Sequence, residues 1–82
     1  MNLRAFFNPS SIAVIGASRE PWKVGHRVFR NLVESGFMGA LYPINPNADE
    51  ILGLRCYKSV RDIPGDVDLA VIVVPAKIVP SV

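Results

Sequence analysis

A single cysteine, Cys56, stands in the 82 residues, so an intrachain disulfide and a metal site built on several cysteines are both excluded. One thiol accords with a reducing, cytoplasmic setting. Aromatic residues make up only 9% of the chain, and a single histidine, His26, leaves no His–Cys or Ser–His–Asp arrangement to argue for. Paired carboxylates at a useful spacing are missing as well. Long apolar runs are also absent. The longest, Leu69 to Pro75, is far short of the ~20 residues that cross a bilayer, and the opening MNLRAFFNPSS lacks the apolar core of a signal peptide. A net charge of +2 is too small to imply a nucleic-acid or membrane partner.

What remains suits one globular domain with a modest core, since half of the residues are hydrophobic and 20% are charged. The positive charge is unevenly spread. Arg19, Lys23, Arg27 and Arg30 lie close together, with Glu20 the only acid among them. That local excess fits a small, multiply charged anion better than a polyanion.

Met1 to Phe7 reads as a short amphipathic turn or helix stopped at Asn8-Pro9. Ile12 to Ile15 is continuously apolar, the pattern of a central parallel strand covered on both faces. Gly16-Ala17-Ser18 forms a turn, and a helix is expected over Lys23 to Ser35. Its buried stripe would be Val24, Val28, Phe29, Leu32 and Val33, with His26, Arg27, Arg30, Asn31 and Glu34 on the other side. Gly36 is placed to cap it.

A second strand is expected over Ala40 to Ile44, although Pro43 removes one ladder hydrogen bond. Asn47 to Tyr57 reads mostly as loop. Ser59-Val60-Arg61-Asp62 resembles a capping box that starts a short helix, halted at Pro64-Gly65. Val67 to Val74 is the strongest strand pattern and again reads as buried on both faces.

Strand, helix, strand, short helix, strand implies right-handed parallel crossovers and a three-layer α/β, Rossmann-like sheet with helices on both faces. A full fold of this kind has about five or six strands. Only three are legible, so the sheet is expected to be truncated after the third strand. Residues 1–82 then form one domain that is incomplete, with an exposed strand edge open to self-association.

The turn at Gly16 carries the chemistry. A glycine closing a strand allows a sharp bend and presents bare N–H groups, and the following helix adds its positive end. The pairing favours a phosphate. A dinucleotide fingerprint would place glycines two and five positions after Gly16, where Ser18 and Pro21 stand. Gly25 comes later, in the helix, where it would permit close packing on the strand or the ligand. The acidic residue that usually meets the ribose in nicotinamide-binding domains is replaced near the end of strand two by Asn45 and Asn47. The ligand class is phosphate-bearing, and NAD fits it poorly.

The segments "PSSIAVIGASREPWKVGHRVFRNL", "GALYPINPNADEILGLRCYKSVRDIP" and "VDLAVIVVPA" resemble the CoA-binding domain of the NDP-forming acyl-CoA synthetases, of the succinyl-CoA synthetase group. The resemblance runs from about Leu3 to the end. It rests on the G-A-S turn, P-x-K-x-G, N-P after strand two and V-P-A after strand three. It implies that Gly16, Ala17 and Ser18 line the adenosine-diphosphate end of coenzyme A, with Arg19 and Lys23 supplying charge. Asn45 and Pro46 would lie beside adenine and ribose. Val74, Pro75 and Ala76 would form a wall near the pyrophosphate and pantetheine arm. Relatives often carry a lysine after N-P, where this sequence has Asn47.

The resemblance further implies that catalysis passes through a phosphohistidine and an ATP-grasp domain in downstream domains or a second subunit. No catalytic residue is assigned in this chain, and His26 does not match the phosphohistidine segment. His26 is expected to be a surface or packing residue whose loss leaves ligand binding intact. The competing readings are the CoA domain of a protein lysine acetyltransferase, a NAD(P)-binding module, and a structural remnant.

Overall fold

The structure is a computed structural model and describes residues 10–74. The expectations for Met1 to Phe7, Pro75 and Ala76 lie outside these residues. Three parallel strands, β1 (Ser11–Ile15), β2 (Ala40–Ile44) and β5 (Leu69–Ile72), form a sheet in the order β2-β1-β5. One α-helix, α1 (Val24–Glu34), connects β1 to β2. Ile12 stands opposite both Leu41 and Leu69, and Ile15 opposite Ile44 and Ile72, so the three strands finish level at one edge.

β1 is central, as its unbroken apolar run predicts. Ile12, Ala13 and Val14 are all buried, because each face of the strand meets a different cluster. On one face Ile12 and Val14 pack with Ala17, Phe29, Ala48, Ile51 and Cys56, and Val28 and Leu32 of α1 lie against them. On the other, Ala13 packs with Ile44 and Ile63, flanked by Tyr42, Tyr57 and Val67.

Pro43 does not weaken β2. The bonds from Ala40 N–H to the Ser10 carbonyl and from Gly16 N–H to the Ile44 carbonyl show that alternate residues of β2 face β1. Pro43 falls on the outward-facing set, where its missing N–H breaks no bond to β1. Its carbonyl accepts instead from Tyr57 N–H at 2.9 Å.

Two expectations about burial change. The buried stripe of α1 is rotated by about one residue towards Gly25, so that Gly25, His26 and Phe29 are buried while Val24 and Val33 are exposed. Gly25 is the cause, as its bare Cα lets the start of the helix press onto the turn. The second concerns β5, which is not buried on both faces. Leu69 and Val71 pack towards α1, whereas Ile72 and Val74 are 67% and 73% exposed on alternate positions. Among the described residues the second face is covered over β1 and β2, by the segment carrying Ile63, and stays open over β5.

The 47–57 region is more ordered than a loop. β3 (Glu50–Ile51) and β4 (Leu54–Arg55) pair antiparallel around Leu52-Gly53, both at positive φ. That combination is the turn two-residue hairpins favour. Leucine is rare there, so only Gly53 hints at it in the sequence. The short helix is a 3₁₀ turn, Val60–Asp62, capped by the Ser59 hydroxyl accepting from Arg61 N–H, a single cap in place of the expected reciprocal box. Ser11 then ties the last crossover to β1. Its buried hydroxyl donates to the Asp66 carbonyl at 2.9 Å and accepts from Asp68 N–H at 3.0 Å.

Candidate functional site

The turn after β1 begins with Gly16 at φ +94°, a conformation that L side chains rarely adopt. A Cβ there would also lie 2.6 Å from the Val73 carbonyl oxygen. Gly16 N–H donates to Ile44 across the sheet edge, and Val73 N–H donates to Ile15 at 2.8 Å. The turn is therefore fastened to both neighbouring strand ends.

Gly25 fixes the other side of the turn. A Cβ on it would stand 1.9 Å from the Gly16 carbonyl oxygen, so only glycine allows this approach of helix to turn. Ala17 and Ser18 are buried beneath the crossing. The Ser18 hydroxyl accepts from Glu20 N–H at 3.0 Å, which leaves its own proton free to donate. Among the described residues, nothing accepts from the N–H groups of Ser18, Arg19, Val24 or Gly25. Lys23 occupies the N-cap of α1 without a side-chain cap, so the helix start also offers unpaired donors.

Arg19 and Lys23 are exposed at the mouth of the turn. Arg19 forms no ion pair with a described residue, whereas Lys23 Nζ lies 2.7 Å from a Glu20 carboxylate oxygen. Sequence reasoning noted Glu20 only as the one acid nearby. The structure makes it a competitor for Lys23.

Asn45 closes the site from β2. Its Nδ2 donates to the Ala17 carbonyl at 2.9 Å and its Oδ1 accepts from Asn47 N–H at 2.8 Å. Both ends of the amide are thus engaged within the protein, and one Nδ2 hydrogen is left to meet a ligand. Ser18, Arg19, Glu20, Lys23, Asn45, Asn47 and Ala48 line a pocket of ≈ 110 Å³. Ligand pockets for drug-sized molecules run to roughly 300–1,000 Å³. This one suits a phosphate group at the end of a larger molecule that lies over the surface.

The structure therefore brings Ser18, Arg19, Lys23 and Asn45 together, with Gly16, Ala17 and Gly25 shaping the floor. Pro46 is exposed beside the pocket, and Val74 is exposed past the end of β5. Neither lines the pocket among the described residues. Asn47, noted in the sequence only as a replacement for the usual acid or lysine, and Ala48, which was missed, reach the lining through a turn in which both of their N–H groups bond to Asn45. His26 is a packing residue and not a surface one, although it was expected on the polar side of the helix. It is buried, and its Nδ1 lies 2.9 Å from the Ser18 carbonyl oxygen.

Cys56 is buried beneath the same corner, its thiol 3.6 Å from the Asn45 carbonyl. Burial pushes the thiol above its ordinary value, and the Asp49 carboxylate adds to the effect. A protonated, buried thiol is a packing group and not a nucleophile.

Comparison with known proteins places this geometry. A family model described as "CoA binding domain" matches residues 10–82. The chain is 59% identical over 81 residues to an ADP-forming acetate–CoA ligase II of Archaeoglobus fulgidus, covering 99% of this chain and 12% of that protein. It is 52% identical to the alpha subunit of an ADP-forming acetate–CoA ligase I of Pyrococcus furiosus, spanning 19% of its length. Among solved structures, a dinucleotide-forming acetyl-coenzyme A synthetase 1 of Ca. Korarchaeum cryptofilum, in apo form, superposes with a TM-score of 0.85 at 56% identity. That match covers 89% of this chain and 16% of the other.

Proposed function

The chain belongs to the CoA-binding domain family, and on that premise we propose that it grips coenzyme A or an acyl-CoA by the phosphate-bearing end. It is homologous to the N-terminal part of ADP-forming acyl-CoA synthetases. One observation carries the ligand reading. Ser18 and Arg19, whose backbone N–H groups no described residue uses, line a phosphate-sized pocket together with Lys23, beside the uncapped start of α1. Gly16, Ala17 and Ser18 cradle the diphosphate, Arg19 and Lys23 neutralise it, and Asn45 and Pro46 border the nucleoside. The resemblance assigns Val74, Pro75 and Ala76 to the pantetheine arm.

The chain spans under a fifth of the ligases it matches. We assign it the CoA-holding step of a reversible reaction in which acyl-CoA, ADP and phosphate give acid, CoA and ATP. Nucleotide binding and phosphoryl transfer fall to ATP-grasp and other domains or a second subunit.

Calorimetric titration and thermal melting with CoA, dephospho-CoA and NAD test the ligand. A ligand at a hundred times its Kd adds about 2.7 kcal/mol of stability, which raises the melting temperature of a domain this small by about 10 °C or more. CoA should produce that shift, and NAD should not. Equal shifts at matched concentrations would sink the proposal.

A further inference from the structure

We propose that His26 is a positioning residue of the phosphate-binding turn, aiming the Arg19 N–H at the ligand; this rests on the CoA reading above. His26 sits in the first turn of α1 at 8% exposure, and its Nδ1 approaches the Ser18 carbonyl oxygen at 2.9 Å. A carbonyl can only accept, so the ring proton is on Nδ1. Asn45 Nδ2 holds the preceding carbonyl, that of Ala17, and the bare Cα of Gly25 crowds the one before, on Gly16.

Two successive carbonyls are thus bonded by side chains, and the one before them is hemmed in by the helix start. A trans peptide is planar, with its N–H opposed to its C=O. Fixing the Ala17 and Ser18 carbonyls on Asn45 and His26 therefore turns the Ser18 and Arg19 N–H groups away from those side chains, and these are donors that no described residue uses. Asn45 aims the first and His26 the second. A hydrophobic residue in place of His26 would keep the helix packed but release the Ser18 peptide to rotate.

The test uses the full chain with three substitutions. His26→Asn keeps a donor, because Asn Nδ2 is as many bonds from Cβ as His Nδ1. His26→Leu keeps buried volume without the donor, and His26→Gln moves the donor out of reach. CoA affinity should fall roughly tenfold in Leu and Gln, the equivalent of one hydrogen bond, and return to within about threefold of wild type in Asn.

Amide resonances read without ligand give a second measure. Arg19 N–H should shift in Leu, relative to β1 amides, and recover in Asn. Wild-type CoA affinity in His26→Leu would overturn the positioning role while leaving CoA binding itself intact. Should wild type bind no CoA, the ligand reading fails, and the Arg19 amide still decides the inference: an unmoved resonance overturns it. If the Leu variant does not fold, a slowly exchanging Nδ1 proton in wild type with Asn-level rescue supports the proposal, and its absence refutes it.

Discussion

Gly25→Ala adds a single methyl group where the structure has no room for one. The new Cβ would meet the Gly16 carbonyl oxygen at 1.9 Å, the Gly16 carbonyl carbon at 3.0 Å and the Ala17 Cα at 3.3 Å. All three are backbone atoms of a turn bonded to both neighbouring strands, so none can swing aside. The start of α1 must instead retreat by more than an ångström. Intrinsic helix propensity pulls the other way, since alanine is better than glycine by about 1 kcal/mol in a helix interior. Overpacking of this kind costs about 1–3 kcal/mol, and withdrawal of the helix also stretches the His26–Ser18 hydrogen bond, worth about 0.5–1.5 kcal/mol. The balance is a net loss of about 1–3 kcal/mol, a fall of about 5–20 °C in Tm for a domain of this size. Denaturant melts read the stability and CoA titration reads the turn, where affinity should drop as the donors diverge. Asn31→Ala, on the exposed side of the same helix, should be neutral or slightly stabilising and isolates the propensity effect. A Gly25→Ala protein that melts at or above wild type and keeps its CoA affinity would refute the close-approach reasoning.

Two further outcomes follow from the charges. Glu20→Gln removes the carboxylate that holds Lys23 at 2.7 Å but retains the Glu20 backbone bond to Ser18. CoA should then bind roughly two- to fivefold tighter at low salt, with the gain shrinking as salt rises. Unchanged affinity by titration would mean that Lys23 does not meet the ligand. The second concerns pH. Native Cys56 titrates above its ordinary 9.0 because it is buried, so between that value and the native one the folded state holds a proton that the unfolded state has released. Its stabilising contribution is complete below the unfolded value and is lost as pH rises through the native one. Urea midpoints should therefore fall more steeply from pH 8 to pH 10 in wild type than in Cys56→Ala. Parallel slopes would show that burial does not shift the thiol.

Much of the site was legible because local chemistry dictates it. Gly16 ends an apolar strand and precedes a helix, a pattern with one common geometry, and the basic residues cluster within a few positions of it. Ser59 reads as a cap because its hydroxyl has a backbone donor two residues away in any helical start. Other features stayed hidden because they depend on distant partners. His26 falls on the polar side of an idealised helix wheel. Only the contact between Gly25 and Gly16 rotates the helix enough to bury it. Asn45 could have been read as a free ligand contact until the Ala17 carbonyl, 28 residues away, proved to occupy it. Leu52 gives no turn signal, so the small hairpin of β3 and β4 was read as loop.

The amino-acid order by itself determined the parallel α/β arrangement, since runs with period two or none alternate with one run of period near 3.6, and prolines and glycines mark their ends. It also marked the Gly16 turn as the segment on which the proposed phosphate site rests. The tertiary structure alone decided which way the turn's peptides face. Sequence spacing sets distances along the chain, whereas the direction of a carbonyl is set by what stands across from it. Here those opposing groups are Asn45 from the end of β2, His26 from the first turn of α1, and the absent side chain of Gly25.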